Sequence, residues 1–244
     1  MASARAHSYD LSVNPRPQVA LSHVGIEREP VLLIDNLLND AAAMVETATW
    51  EVAFVPAGNP DGGYPGLRAP APRKYVEGVV RALSPIIERA FDLRGVALTN
   101  AECNFSLTTT PPDQLTVQQR VPHIDTAYPL QFALLHYLCA PEYGGTSFYR
   151  HKATGYETFD AARSAHYEAV RARELAEGAP PEHYVTDDSA YFARIGGCEA
   201  RFNRMAIYRS CLLHSGHIRD AGLLAANPRT GRLTANIFIN YRQR

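Results

Sequence analysis

The chain has 244 residues, of which 46% are hydrophobic and 20% are charged, and its formal net charge at pH 7 is −1. This length and composition predict one soluble globular domain with a sizeable core. No basic stripe favours a nucleic-acid partner, and no apolar run has the length of a membrane span or a secretory signal. We therefore expect a cytoplasmic protein that binds neither nucleic acid nor membrane.

The first elements predicted along the chain are a strand and a helix. "EPVLLIDNLL" at 29–38 contains a short β-prone run that ends in a turn. The Ala-rich segment 39–50 then predicts a helix capped by Asn39 or Asp40.

A Pro/Gly-rich segment follows at 56–73, and its composition predicts a long loop of functional importance. Helical spacing returns at 74–91, where Pro85 is either a break or a second helix start. Residues 1–95 are thus predicted to be a helical support with a loop.

Residues 96–244 have a different sequence pattern, in which short β-prone runs are separated by turns. Strands are predicted near 101–109, 116–121, 131–138, 145–149, 191–195, 199–209 and 233–241. This pattern indicates a mainly β fold with flanking helices, either a sandwich or a barrel. The four cysteines are widely spaced without a C-x-x-C pair, which favours reduced, mostly buried thiols.

A polar helix is predicted to interrupt the strands at 154–178, within an insertion that extends to residue 190. Thr154 and Glu157 have the spacing of a capping box at its start. The insertion is either a solvated segment or a lid over a site.

His123 and Asp125, in "VPHIDTAYPLQF", are the first candidate metal ligands. In a strand, residues two apart point to the same face, so both side chains can meet at one point. Among nine histidines an H-x-D pair is a weak signal, and a third ligand has to decide the matter. "YRSCLLHSGHI" offers His214 or His217, of which we favour His214 because it lies at a strand end beside a turn. Two histidines and one carboxylate are the facial triad of non-haem Fe(II) oxygenases.

Polar and apolar residues alternate in segment 231–242, as in a β-strand, so Arg232, Thr234 and Asn236 share one face. An inward-facing guanidinium is costly unless it meets an anion, and its planar fork suits a carboxylate. Arg232 with Thr234 is therefore predicted to hold the distal carboxylate of a dicarboxylate chelator. A strand-end arginine that faces water is the alternative.

The order of these motifs resembles the 2-oxoglutarate/Fe(II)-dependent oxygenase superfamily. H-x-D at 123–125, "PEYGGTSFYRH", "LLHSG" and "GRLTANIF" follow one another as they do in that family, and the Gly-Gly-Thr-x-Phe turn resembles its prolyl-hydroxylase-like branch. "YPGLRAP", "GGTSFYRH" and "LLHSG" with "GRLT" together resemble a bacterial group of the superfamily that has no assigned function.

The resemblance implies a double-stranded β-helix, or jelly roll, with Fe(II) at its open end. It implies His123, Asp125 and His214 as ligands and Arg232 as the anchor of the co-substrate 2-oxoglutarate. O2 would then oxidise a small molecule, an amino acid or a peptide side chain, with release of succinate and CO2. Halogenating relatives carry a small residue in place of the acid, so Asp125 favours hydroxylation.

Substrate contacts are predicted at Tyr64, Arg68, Arg150 and His151, with exposed turn residues as the alternative for the last two. Gln118 or Gln119 is also expected to face the pocket, without a basis for choosing between them. His136 is expected to be a core histidine, and Trp50 is expected to lie in the core. A non-catalytic metal- or metabolite-binding barrel and a cupin-like Zn or Mn enzyme stay open as other functions. The sequence also leaves the oligomeric state open, with a homodimer as one option.

Overall fold

The computed structural model describes residues 9–59 and 62–244. Within these residues the chain forms eleven strands and three α-helices. The strands are β1 Gln18–Val24, β2 Glu29–Asp35, β3 Val55–Asn59, β4 Gly62–Pro70, β5 Val96–Thr108, β6 Gln131–Tyr137, β7 Thr146–His151, β8 Phe192–Cys198, β9 Arg204–Arg209, β10 His214–Gly216 and β11 Arg232–Gln243. The helices are α1 Ala42–Trp50, α2 Arg73–Ala90 and α3 Ala161–Glu177.

Two antiparallel sheets form the body of the molecule. The large sheet has the strand order β1-β2-β9-β6-β11-β5-β4-β3, and the small sheet has the order β10-β7-β8. A single bridge between His123 and His214 adds one more segment beside β10. From β5 onward the chain alternates between the sheets: β5 and β6 in the large sheet, β7 and β8 in the small, then β9, β10 and β11 in turn.

This alternation is the topology of a double-stranded β-helix. The expected fold, mainly β with flanking helices and a jelly-roll core, is confirmed. Strand pairing does not join the two sheets into one closed barrel in the residues that the structure describes. Side-chain contacts join the sheets, such as Phe148 of β7 against Tyr208 of β9, whose ring centres are 5.1 Å apart, and the hydrogen bond of 2.7 Å between the hydroxyls of Tyr137 of β6 and Thr146 of β7.

Helices α1 and α2 cover the outer face of the large sheet. In α2, Tyr75, Val79, Leu83 and Ile87 recur every four residues and are buried, which makes one apolar stripe. The stripe packs in the main core with alternate side chains of β11: Leu233, Ala235, Ile237 and Ile239. Because a strand alternates its faces, the remaining side chains of β11 point into the space between the sheets.

The prediction of a long loop at 56–73 is wrong. The described residues on both sides of positions 60 and 61 form the antiparallel strands β3 and β4, and β4 also pairs with β5. The prolines are tolerated because Pro65 lies where the β3–β4 register shifts, so no hydrogen bond of the ladder needs its missing N–H. Residues 1–95 are consequently not only a helical support, since β1 to β4 belong to the large sheet.

Two further local predictions are wrong. Segment 116–121 is a short 3-10 helix, Val117–Arg120, because the Gln119 side chain accepts a hydrogen bond from the Thr116 N–H and closes a turn. Pro85 neither breaks nor restarts α2. Pro85 has no N–H to donate to the carbonyl of Arg81, one turn earlier. Both residues are exposed, so water can solvate that carbonyl.

Helix α3 begins later than predicted. Its N-cap is Asp160, whose side chain accepts the N–H of Arg163 at 2.8 Å, and the expected capping box of Thr154 and Glu157 does not form. Glu157 is instead fully buried, and its carboxylate accepts two backbone N–H groups from the β1–β2 turn. Tertiary contacts have therefore overridden a local capping signal.

Among the other expectations, the helix within 39–50 and the free, mostly buried cysteines are confirmed, whereas the expected core position of Trp50 is wrong. Helix α1 falls inside the predicted segment, although its N-cap is Ala41 and the Asp40 carboxylate only accepts the N–H of Ala43 at 3.3 Å. All four cysteines are free, and three of them are buried. Trp50, expected in the core, is 71% exposed and stacks under Arg229. No helix within residues 9–59 and 62–244 combines the length and apolarity needed to cross a bilayer.

Candidate metal centre

Three side chains that are distant in sequence converge between the sheets. His123, Asp125 and His214 each place one possible ligand atom within 4.8 Å of the other two. The Asp125 carboxylate lies 3.9 Å from Nε2 of His123 and 3.7 Å from Nε2 of His214. These separations are longer than hydrogen bonds and leave the lone pairs free to meet at a common point.

Backbone pairing produces this convergence. His123 and His214 exchange two backbone hydrogen bonds, of 2.8 and 2.9 Å, and their rings lie 4.5 Å apart. The N–H of Asp125 donates to the carbonyl of Ser210 at 2.9 Å, which fixes the acid beside the same segment. The segment forms one bridge instead of a full strand, yet both side chains face the same cavity.

His214 is held in one tautomer. Its Nδ1 lies 2.7 Å from the carbonyl oxygen of Leu212, which can only accept, so Nδ1 carries the proton and Nε2 presents a lone pair. His217, the other candidate for the third ligand, lies outside the cluster. Its Nδ1 bonds the Ser147 hydroxyl at 2.8 Å and its Nε2 accepts from Arg219 at 2.8 Å.

The electrostatics of the cluster favour neutral imidazoles. Burial lowers the pKa of His214 to about 4, and burial together with the neighbouring His214 lowers the pKa of His123 to about 4. Burial raises the pKa of the Asp125 carboxyl. The His123 side chain is nevertheless 54% exposed, because it lines the open side of a cavity while protein surrounds the cavity itself.

This donor set fits a divalent transition metal. Two neutral imidazole nitrogens and one carboxylate oxygen match the ligands that Fe(II), Mn(II) or Zn(II) bind, and a cation would favour the ionised carboxylate that burial disfavours. The three residues would occupy one face of the ion and leave the opposite face to ligands in the cavity.

The cavity has a volume of about 420 Å³ and contains few charges. Its charged lining residues are Asp125 and two arginines, Arg232 and Arg68. Apolar side chains such as Leu135 and Phe238 form much of the remaining wall. A pocket of this size encloses a small organic ligand and excludes most water.

Arg232 is the more deeply placed arginine. It is 4% exposed, and its guanidinium donates to the carbonyl of Gly145 at 2.8 Å and to the Thr108 hydroxyl at 3.4 Å. Its buried Nε has no hydrogen-bond partner, and no carboxylate forms an ion pair with it in the part of the chain that the structure describes. A buried guanidinium of this kind fits the distal carboxylate of 2-oxoglutarate, and the alternative of a strand-end arginine facing water is wrong.

The neighbours of Arg232 on the same face of β11 differ in their access to the cavity. Asn236 lines it and has a buried carbonyl oxygen without a hydrogen-bond partner. Thr234 is fully buried, donates to the backbone carbonyl of Ser106 at 3.4 Å and does not line the cavity.

Strand β4 supplies part of the cavity wall. Tyr64 and Arg68 of β4 both line the cavity, and the Arg68 guanidinium lies 5.0 Å from the centre of the Tyr64 ring. Gln118 and Gln119 line it as well, and Gln119 donates to the carbonyl of Gly63 at 3.1 Å.

Arg150 and His151 do not lie where the sequence predicts them. Arg150 contacts the buried Glu157 carboxylate at 3.4 Å, and His151 is fully buried between Thr154 and the Glu174 carboxylate. Neither side chain lines the cavity, so their expected position at the rim is wrong. Helix α3 packs against His151 and contributes no residue to the cavity lining, whereas Tyr184, later in the same 154–190 insertion, does line the cavity. The insertion is therefore not a purely solvated segment.

His136 behaves as the expected core histidine, with Nδ1 bonded to the Tyr75 hydroxyl at 2.9 Å and Nε2 to Asn203 at 3.2 Å. Sequence reasoning missed Tyr184 and Thr108, which line the cavity. Tyr184 lies in a segment without periodicity and gave no signal, whereas Thr108 is the register partner of Arg232 on the neighbouring strand.

Fold and cluster together define the class: a jelly-roll protein with a two-histidine, one-carboxylate group facing a cavity at its open end. The model of DUF6445, a family of unknown function, matches residues 15–239, and the chain belongs to that family. No curated protein matches the chain.

Several solved structures are similar to the chain at low sequence identity. The epimerase SnoN from nogalamycin biosynthesis, described as alpha-ketoglutarate dependent, is 12% identical over 89% of this chain and 79% of its own, with a TM-score of 0.48. HygX from Streptomyces hygroscopicus, with nickel and 2-oxoglutarate bound, is 13% identical over 86% and 82%, with a TM-score of 0.45. An N-substituted L-amino acid dioxygenase from Burkholderia ambifaria is 10% identical over 92% and 94%, with a TM-score of 0.41.

Proposed function

We propose that this protein is an Fe(II)- and 2-oxoglutarate-dependent oxygenase that hydroxylates a small molecule, an amino acid or a peptide side chain. The observation that carries the proposal is the pairing, in one cavity, of a facial group of three ligands with a buried arginine that lacks an anionic partner. The Gly-Gly-Thr-x-Phe sequence is the ground for proposing the prolyl-hydroxylase-like branch, and within it the Gly145 carbonyl accepts a hydrogen bond from Arg232.

His123, Asp125 and His214 would hold the iron, and Arg232 would bind the distal carboxylate of 2-oxoglutarate. Iron with its co-substrate supplies C–H oxidation: O2, 2-oxoglutarate and a C–H bond give an alcohol, succinate and CO2. The carbonyl of Leu212 keeps the Nε2 atom of His214 unprotonated for the ion. Asp125 occupies the ligand position that halogenation would require for a halide, so hydroxylation is the proposed outcome.

The chain's other contribution is orientation. Gly145 and Thr108 hold the Arg232 guanidinium in one position, which would fix how far the distal carboxylate lies from the metal. Leu135 and Phe238 keep the cavity wall apolar, so charges inside it interact more strongly than in water.

Anaerobic addition of Fe(II) and then 2-oxoglutarate tests the proposal. A visible charge-transfer band should appear only when both are present, and succinate should form after O2 is admitted. His123→Ala and Asp125→Ala should lose stoichiometric iron, whereas His217→Ala, a histidine close in sequence but outside the cluster, should retain it. Iron binding and turnover retained in both ligand variants would refute the ligand set. Turnover that persists without O2 would point to a cupin-like hydrolase or isomerase, and a metallated protein that never consumes 2-oxoglutarate would point to a binding module.

A further inference from the structure

A second arginine in the cavity, Arg68, has no role in the chemistry above. It projects from β4, whose register places it beside Ser106 of β5 on the face that looks into the cavity. Its Nε is buried without a hydrogen-bond partner, and it forms no ion pair with any described residue. A guanidinium left unsatisfied in a pocket is costly unless a ligand meets it.

Tyr64 separates Arg68 from Arg232. The Arg68 guanidinium stacks on the Tyr64 ring at 5.0 Å, and the Tyr64 hydroxyl bonds Thr108 at 2.8 Å, which in turn accepts from Arg232. Stacking covers one flat face of the Arg68 guanidinium and leaves its N–H edge free for a planar anion.

Arg68 and Arg232 contact different parts of Tyr64. The Arg68 guanidinium lies over the Tyr64 ring and lines the same cavity as His123 and Asp125. The Arg232 guanidinium lies at the other end of Tyr64, where it donates to Thr108, the partner of the Tyr64 hydroxyl. The two guanidinium groups therefore serve different parts of the cavity.

The charges in the cavity leave one positive charge unmatched. Two arginines face one carboxylate among the lining residues. A divalent metal adds two positive charges and the 2-oxoglutarate dianion removes them, so one positive charge remains beside the metal. A single negative charge on the substrate would neutralise it, whereas a neutral or cationic substrate would leave the half-buried Arg68 without an ionic partner.

We propose that the substrate carries a carboxylate, and that Arg68, stacked on Tyr64, binds this carboxylate and so positions the substrate's C–H bond at the metal. This inference rests on the proposed function and adds to it the chemical class of the substrate. Arg68 is thus a specificity-determining residue, distinct from the co-substrate anchor Arg232.

The test uses acetate as the probe and acetamide as its neutral match. The protein is loaded anaerobically with Co(II) in place of iron and saturated with 2-oxoglutarate, and the broadening of the probe's methyl NMR signal by the paramagnetic ion is measured. The methyl signal of acetate should be broadened, and that of acetamide should not. Arg68→Gln should weaken acetate binding by about 10-fold or more, the range expected for charge-assisted hydrogen bonds. Arg68→Lys, which keeps the charge but loses the planar fork, should weaken it less. Arg73→Gln, an exposed arginine on α2, is the matched control and should change nothing.

Each outcome has a distinct meaning. Acetate broadening that is unchanged in Arg68→Gln, or equal broadening by acetamide, would overturn the inference alone. Loss of the Fe(II)·2-oxoglutarate band in Arg68→Gln at saturating co-substrate would assign Arg68 to the co-substrate and also overturn it. Absence of that band in the unaltered protein would overturn the proposed function itself. Circular dichroism shows whether Arg68→Gln is folded, and if it is not, Arg68→Lys provides the test. An acetate affinity of Arg68→Lys equal to that of the unaltered protein would show that the planar guanidinium is not needed and would refute the proposed role of Arg68.

Discussion

Replacing Arg232 with methionine should have opposite effects on co-substrate binding and on stability. In the structure the guanidinium is 4% exposed and has two hydrogen bonds, to Gly145 and Thr108, and one orphaned nitrogen. Methionine has a similar length without the charge, so Arg232→Met removes the proposed anchor while it keeps most of the packing.

The loss of co-substrate affinity should be large. Removing one partner of a buried ion pair costs about 3–5 kcal/mol, because the other charge is left desolvated. At about 1.4 kcal/mol for each tenfold change, Arg232→Met should weaken 2-oxoglutarate binding by about 100-fold or more. Anaerobic titration of the Fe(II)-loaded protein, followed through the visible charge-transfer band, measures this change.

The protein without ligands should not be destabilised in proportion. A buried charge without an ionic partner opposes folding, and an apolar replacement of similar volume is often neutral or stabilising. The Gly145 carbonyl keeps a second donor, the N–H of His217 at 2.9 Å, so it is not orphaned by the change. We expect the free energy of unfolding, measured in urea, to stay within about 1 kcal/mol of the unaltered protein or to rise.

A ligand control isolates the distal carboxylate. 2-Oxopentanoate has the same chain as 2-oxoglutarate with a methyl group in place of that carboxylate. The unaltered protein should discriminate strongly between the two keto acids, and Arg232→Met should bind both with similar weak affinity. Discrimination that survives in Arg232→Met, or a fall in unfolding free energy of more than about 2 kcal/mol, would refute the reasoning.

Three further changes test the scaffold. Gly144→Ala should cost about 3 kcal/mol or more in urea unfolding, because Gly144 has φ +81° and a Cβ there would lie 1.8 Å from the His217 carbonyl oxygen; a loss below about 1 kcal/mol would contradict this. The hydrogen-bonded Arg204 guanidinium holds the pKa of the Asp35 carboxyl below its usual value. The ion pair therefore stabilises the fold fully above the pKa that Asp35 has in the unfolded chain, and this stabilisation is lost as the pH falls through the lower pKa of the folded protein. Asp35→Asn should accordingly destabilise by about 2 kcal/mol at neutral pH and progressively less in acid, and a difference independent of pH would argue against the pair. Glu157→Ala should lower the thermal midpoint by removing the acceptor of two backbone N–H groups, with Glu157→Gln, which keeps one acceptor oxygen, falling between.

Strong periodic signals in the sequence predicted their elements well. The stripe in α2 and the alternation in β11 each have many matching positions, and both elements form within a few residues of the predicted bounds. The 56–73 segment failed because Pro and Gly forbid a strand only where the ladder needs an N–H or a side chain. The sequence does not show where the register shifts, and the register depends on β5, a distant strand.

Some residues of the candidate site could be predicted from the sequence and others could not. His123, Asp125 and Arg232 could be proposed from chemistry and spacing, since imidazole, carboxylate and guanidinium groups are informative by type. Arg150 and His151 had the right chemistry in the wrong place, because Arg150 contacts the Glu157 carboxylate and His151 contacts the Glu174 carboxylate instead of the cavity. These tertiary contacts leave no local pattern in the sequence.

The register of β11 ties the stability of the core to the integrity of the site. On one face, Leu233, Ala235 and Ile237 are fully buried against α2, and on the other, Arg232 and Asn236 reach the cavity. A slip of one residue would exchange the two sets, placing a guanidinium in the apolar core and aliphatic side chains beside the metal ligands. The apolar face therefore selects the one register that presents the arginine correctly. Because the outer core enforces this register, the inner face can carry two arginines and an unpaired amide that contribute nothing to folding. A ligand that satisfied these groups would bind a site whose geometry the opposite face of the sheet had already fixed.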